Sequence, residues 1–82
     1  MKIENVKAVI TGAGSGLGEG TARYLKDRGA KLLLIDLNAD GLKKVAKETD
    51  AKYFVGDVSN EEEMKKAIED FDGINCLVNC AG

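Results

Sequence analysis

A cluster of glycines between an apolar run and a helical pattern constrains the fold of this chain more than any other feature. The segment Thr11-Gly12-Ala13-Gly14-Ser15-Gly16-Leu17-Gly18 has four glycines in seven positions. It follows residues 6–10, which are predicted to form a strand, and opens residues 16–28, where apolar residues recur at helical spacing. Gly29 stands where such a helix would end. The chain is therefore expected to begin as strand, tight turn and helix.

The same succession of apolar run, turn and helical pattern continues along the chain. Leu32-Leu33-Leu34-Ile35 is apolar without alternation, as expected for a strand buried on both faces of a parallel sheet. Ser59-Asn60-Glu61-Glu62 matches a capping box and predicts the start of a helix. In all, the sequence predicts strands at 6–10, 31–35, 53–55 and 74–79, and helices at 16–28, 39–48 and from Ser59 onward.

Strands that alternate with helices predict an α/β fold with a parallel sheet. Because crossovers between parallel strands are right-handed, the first two helices are expected on one face of the sheet and the third on the other. The fourth strand then lies beside the first. This gives the order 3-2-1-4, the N-terminal half of a doubly wound, Rossmann-like fold. Its crevice is expected to be bordered by Gly12 and Asn79, at the carboxyl ends of those two strands.

The position of the glycine turn predicts that it binds the pyrophosphate of a dinucleotide. A helix N-terminus offers unpaired N–H groups and the positive end of the helix dipole to an anion. Gly12, Gly16 and Gly18 remove the side chains that would block this approach, and Gly14 adds freedom to the turn. The alternative is a strand-to-helix loop that is merely flexible.

Asp36 ends the second predicted strand, where a dinucleotide fold places the acid that accepts hydrogen bonds from the adenosine ribose. Neither Leu37 nor Asn38, which follow it, is a cation that could neutralise a 2′-phosphate. The sequence therefore favours NAD over NADP. The alternative is that Asp36 only caps the next helix.

Composition excludes several other classes of function. The chain has 82 residues, a formal net charge of −2 and no histidine. This charge argues against nucleic acid as a partner, and no apolar run approaches the ~18 residues of a membrane span. Cys76 and Cys80 fit neither a zinc pattern nor a disulfide framework. We expect one small domain in the reducing cytoplasm, with no metal.

Three motifs in order resemble the short-chain dehydrogenase/reductase family. The glycine turn matches the family's Thr-Gly-x-x-x-Gly-x-Gly pattern, and Asp57-Val58 matches the pair that often ends its third strand. Asn79-Cys80-Ala81-Gly82 matches its Asn-Asn-Ala-Gly ending with one change. The resemblance covers essentially the whole chain. The last motif and Leu-Ile-Asp-Leu around Asp36 look most similar to the 3-hydroxyacyl-CoA and 17β-hydroxysteroid dehydrogenase branch.

The resemblance implies a role for individual residues. Asp57 would accept a hydrogen bond from the adenine amino group, although alone it could also be a turn residue. Asn79 and Ala81 would line the ribose side of the crevice, and Asn79 would also tie the fourth strand to its neighbours. The predicted cofactor-binding residues are Gly12, Ser15, Gly16, Leu17, Gly18, Asp36, Leu37, Asp57, Val58, Asn79, Ala81 and Gly82.

The catalytic residues of that family are not found in this sequence. The family uses a serine, a tyrosine as general acid/base and a lysine four residues after the tyrosine. Arg28 follows Tyr24 at that spacing, and Asp57 follows Tyr53. The resemblance therefore implies that residues 1–82 are a dinucleotide-binding domain truncated before the catalytic segment of an NAD-dependent oxidoreductase. That enzyme would move hydride between NAD and a secondary alcohol or ketone.

The sequence is also compatible with two other functions. The chain could be a stand-alone or designed nucleotide-binding module without catalysis, or an interaction or sensor domain that kept the fold. If the chain is a truncated domain, its fourth strand would be an exposed apolar sheet edge, so self-association is expected, either edge to edge or through the uncovered face of the third helix. A small-molecule substrate is expected only for the full-length parent.

Overall fold

The computed structural model describes residues 6–14, 16–57, 59–69, 71, 73–74 and 76–80. Within these residues, parallel strands alternate with helices as predicted, and the sheet has the predicted order β3-β2-β1-β4. The elements are β1 (Lys7–Thr11), α1 (Gly16–Asp27), β2 (Lys31–Asp36), α2 (Ala39–Thr49), β3 (Lys52–Val55), α3 (Glu61–Glu69) and β4 (Cys76–Asn79).

The sheet separates two apolar clusters, because successive side chains of a strand point to opposite faces. On one face, Ile10 and Leu34 are fully buried with Leu42 and Val45 of α2 and Ala22 of α1. On the other face, the buried cluster consists of Val9, Leu33, Ile35, Ala67 and Phe71, of which Ala67 belongs to α3. The prediction that the third helix crosses the opposite face is confirmed.

The helix ends show where the predicted boundaries needed correction. Gly29 has a φ of 90° and follows the end of α1 as expected. The predicted capping box, however, is wrong by one residue. The N-cap of α3 is Asn60, whose Oδ1 accepts from the N–H groups of Glu62 and Glu63 at 3.0 and 3.1 Å. Ser59 instead donates to Asp57.

The outer strand β4 leaves apolar surface exposed. The side chain of Leu77 is 65% exposed at this edge of the sheet. Within the described part of the chain, no helix is long and apolar enough to cross a membrane.

Candidate dinucleotide site

The carboxyl ends of β1 and β4 meet at the predicted crevice. Thr11 and Asn79 are paired in the sheet, and the hydroxyl of Thr11 donates a hydrogen bond of 2.8 Å to Oδ1 of Asn79. One residue on, the N–H of Cys80 donates to the carbonyl of Thr11 at 3.2 Å. Asn79 therefore ties β4 to β1 where Gly12 begins the turn.

The glycine turn is folded so tightly that side chains are excluded at several positions. Gly12 and Gly16 have φ values of 67° and 60°, a region that L side chains rarely adopt. A Cβ on Gly18 would lie 2.1 Å from the carbonyl oxygen of Gly12. The first turn of α1 is thus packed directly on the backbone of the loop. The N–H groups at the start of a helix lack intrahelical acceptors and can bind an anion.

The carboxylate of Asp36 holds the turn from the end of β2. Its Oδ2 accepts from the N–H of Gly14 at 2.8 Å, and its Oδ1 accepts from the N–H of Asn38 at 3.0 Å. The N-cap of α2 is Asn38, whose side chain accepts from Gly41 N–H. Asp36 therefore shapes the loop and is not the helix cap itself. Each carboxylate oxygen can accept more than one hydrogen bond, so Asp36 keeps capacity for a ribose hydroxyl.

Asp57 directly follows Gly56, whose N–H donates to the Asp36 carbonyl at 3.1 Å. Oδ1 of Asp57 accepts from the hydroxyl and the N–H of Ser59, at 2.7 and 2.8 Å. These two bonds, the hydroxyl first, lower the pKa of the Asp57 carboxyl. The N–H of Asp57 donates to Oε2 of Glu63 at 2.8 Å. An ionised acceptor is thus fixed at the end of β3.

Two large apolar side chains are exposed at the same edge of the sheet. Leu17 is 77% exposed at the start of α1, and Leu37 is 67% exposed directly after Asp36. Single exposed apolar side chains are ordinary on a protein surface, so their exposure does not by itself mark a ligand site. The remaining predicted site residues, Ser15, Val58, Ala81 and Gly82, lie outside the described residues.

Two surface pockets lie away from this edge. One of about 580 Å³ lies between β3 and α3, and one of about 610 Å³ lies at the amino ends of the strands. The second is lined by Lys7, Lys26, Lys31 and Lys52, among others. The C-terminal ends of α1 and α2 lie beside this pocket, where the helix dipoles favour cations. No group of metal-ligating side chains occurs among the described residues.

The structure adds two residues that the sequence reasoning did not single out. Glu63 holds the backbone of Asp57, and Gly41 packs on the glycine turn. A Cβ on Gly41 would lie 2.4 Å from the carbonyl oxygen of Gly14. A glycine inside a helix was the available signal, because glycine is unfavourable there unless another backbone approaches closely.

Comparison with known proteins agrees with this geometry. A family model described as short chain dehydrogenase matches residues 6–82. The chain is 43% identical over 82 residues to an uncharacterized oxidoreductase of Staphylococcus aureus (strain N315), covering 92% of this chain.

Among solved structures, a 3-ketoacyl-(acyl-carrier-protein) reductase from Brucella melitensis complexed with NADH is 36% identical, with a TM-score of 0.86 over 92% of this chain. A short chain dehydrogenase from Bacillus anthracis is 25% identical, with a TM-score of 0.91 over the whole chain. The chain spans only about a third of each of these proteins: 36% of the Staphylococcus relative, 34% of the Brucella chain and 37% of the Bacillus chain.

Proposed function

This chain belongs to the short-chain dehydrogenase family of oxidoreductases, and we propose that residues 1–82 form the unit that binds NAD in such an enzyme. The observation that carries the proposal is the packing of the glycine turn. With a Cβ on Gly18 excluded by the Gly12 carbonyl, the first turn of α1 packs directly on the backbone of the turn. Such a turn at a helix N-terminus suits an anionic group, and in a strand-turn-helix unit of this kind that group is the pyrophosphate of a dinucleotide.

The proposed path of the cofactor follows the carboxyl edge of the sheet. The pyrophosphate lies at Gly12, Gly16 and Gly18, with the N–H of Leu17 as a further donor. Asp36 accepts from the adenosine ribose, and Asp57 accepts from the adenine amino group. Ser15, Leu37, Val58, Asn79, Ala81 and Gly82 complete the proposed set. The contact of Asp36 with Gly14 supports this path, because it places the carboxylate in direct hydrogen-bond contact with the turn.

The preference for NAD over NADP rests on charge. A 2′-phosphate on the ribose would meet the Asp36 carboxylate, and like charges brought together at an interface cost several kcal/mol. The N–H groups that already donate to this carboxylate come from Gly14 and Asn38, and they hold its position. The NADH in the related Brucella reductase is consistent with this choice.

The full reaction is proposed for a longer protein that contains this unit. We propose that this longer protein transfers hydride between NAD and a secondary alcohol or ketone. Its catalytic residues would lie in a segment that corresponds to the part of the relatives that this chain does not span. A 3-hydroxyacyl thioester of coenzyme A is the substrate suggested by the ending 78–82. The free cysteines Cys76 and Cys80 are consistent with a cytoplasmic location.

Calorimetric titration with NADH and NADPH tests this proposal. We expect NADH to bind at a single site, with NADPH at least about tenfold weaker because of the charge on Asp36. Asp36→Asn should reduce the difference in affinity between NADH and NADPH. Asp40→Asn is the matched control: it removes an exposed carboxylate from the first turn of α2 and should leave the difference unchanged. Equal binding of both cofactors, or an equal effect of the two variants, contradicts the assignment of Asp36.

A further inference from the structure

Gly41 is an unusual residue for its position. It lies in the first turn of α2, three residues after the N-cap Asn38, where glycine is among the least favourable residues for a helix. The absence of a Cβ explains why glycine is found there. A Cβ at this position would lie 2.4 Å from the carbonyl oxygen of Gly14 and 2.9 Å from Nδ2 of Asn38.

The atom that Gly41 approaches belongs to the backbone of the glycine turn. A flexible side chain could rotate away from a new methyl group, whereas the Gly14 carbonyl can move only with the turn. The clash would therefore displace the turn or the start of α2. Gly20 in α1 offers the contrast, because a Cβ there meets nothing within 4 Å.

The peptide units on the two sides of Gly14 are held by different elements. On one side, the Gly14 N–H donates to Oδ2 of Asp36 at 2.8 Å, and the preceding Ala13 N–H donates to the carbonyl of Ile35 at 3.3 Å. On the other side, the Gly14 carbonyl faces Gly41 in the first turn of α2. The end of β2 and the start of α2 thus form a clamp on Gly14, two residues before α1 begins.

We propose that Gly41 is a positioning residue of the dinucleotide site. Without a side chain it lets α2 press Gly14 against Asp36, so that the turn enters α1 in the geometry that receives the pyrophosphate. This inference rests on the proposed cofactor function and extends it to a residue more than twenty positions away from the turn in the sequence. Gly41 acts through Gly14 and is given no contact with the cofactor.

The test compares Gly41→Ala with Gly20→Ala in the full chain by NADH titration and by amide hydrogen exchange. Both replacements put alanine for glycine inside a helix, so they differ mainly in the contact with Gly14. Gly20→Ala should leave NADH affinity unchanged. Gly41→Ala should weaken it about tenfold, the loss expected for one hydrogen bond to a charged group. Exchange of the Gly14 N–H should accelerate in Gly41→Ala alone, while amides of the central strands keep their protection.

A general loss of packing would speed exchange throughout the sheet and would not single out Gly14. The inference is overturned if Gly41→Ala binds NADH as tightly as Gly20→Ala, or if exchange at Gly14 is unchanged. If Gly41→Ala does not fold, hydrogen exchange in the wild-type chain tests the clamp. The clamp requires the Gly14 N–H to be protected without cofactor, and unprotected exchange overturns the inference. Wild-type protection without any binding of NADH would refute the proposed function, and with it the cofactor role of Gly41.

Discussion

Replacing Gly18 with alanine tests the packing on which the site depends. The new Cβ would lie 2.1 Å from the carbonyl oxygen of Gly12, whereas ordinary contact begins at 3.4 Å. The two atoms must therefore separate by about 1.3 Å. Because a Gly12 carbon and the Cα of Ala13 would also lie within 3 Å, the helix and the turn must move apart as units.

The Gly20→Ala control separates the free-energy cost of that movement from the effect of helix propensity. Alanine is favoured over glycine inside a helix by about 1 kcal/mol, and this gain applies to both variants. Overpacking typically costs about 1–3 kcal/mol and applies only to Gly18→Ala. The two variants should therefore differ in free energy of unfolding by about 1–3 kcal/mol. For a domain of this size that is a difference in Tm of at least about 4 °C.

Thermal unfolding followed by far-ultraviolet circular dichroism measures this difference, and NADH titration of the same samples measures its effect on the site. We expect Gly20→Ala to raise the Tm and keep the affinity, and Gly18→Ala to lower both relative to that control. If Gly18→Ala is as stable as Gly20→Ala and binds NADH equally well, the tight packing of α1 on the turn is refuted.

Three further predictions concern the surroundings of the site. Ser59→Ala should raise the pKa of Asp57 by removing the hydroxyl bond that chiefly lowers it; carboxyl titration by NMR measures this. A lowered pKa in the folded state gives stability above the unfolded pKa that is lost as pH falls through the folded pKa, so the two proteins should converge in stability in acid. Thr11→Val removes the hydroxyl bond to Asn79 and should cost about 1 kcal/mol, with faster exchange of the Cys80 amide; unchanged exchange would argue against the tie between β1 and β4. The chain should self-associate through the edge of β4, and Leu77→Lys should reduce this in sedimentation; a wild-type monomer at all concentrations would contradict it.

The fold could be predicted from sequence because its signals are local. The unbroken apolar run of β2 indicates burial on both faces, and the glycine spacing indicates a tight turn into α1. With strands and helices alternating, the handedness of crossovers then determines the sheet order. These inferences need no knowledge of which side chains meet.

The error at the start of α3 and the omitted residues both concern side-chain and backbone contacts that the sequence pattern does not specify. Ser59 and Asn60 are both good N-caps, and each is followed three residues later by a glutamate. The structure selects Asn60 because Ser59 is bound to Asp57. In the same way, Asp36 could be recognised as an acceptor, but its hold on Gly14 and the approach of Gly41 depend on how α2 packs on the turn.

An NMR titration of the labelled chain with NADH tests whether the cofactor's pyrophosphate lies on the glycine turn. Amide shifts should concentrate at Gly12 and residues 16–18, with further changes at Asp36, Asp57 and Asn79. Amides near Lys7 and Lys31, at the opposite ends of the strands, should stay unchanged. Shifts centred on those opposite ends, or no saturable shifts at the glycine turn, would show that the pyrophosphate does not lie on the turn.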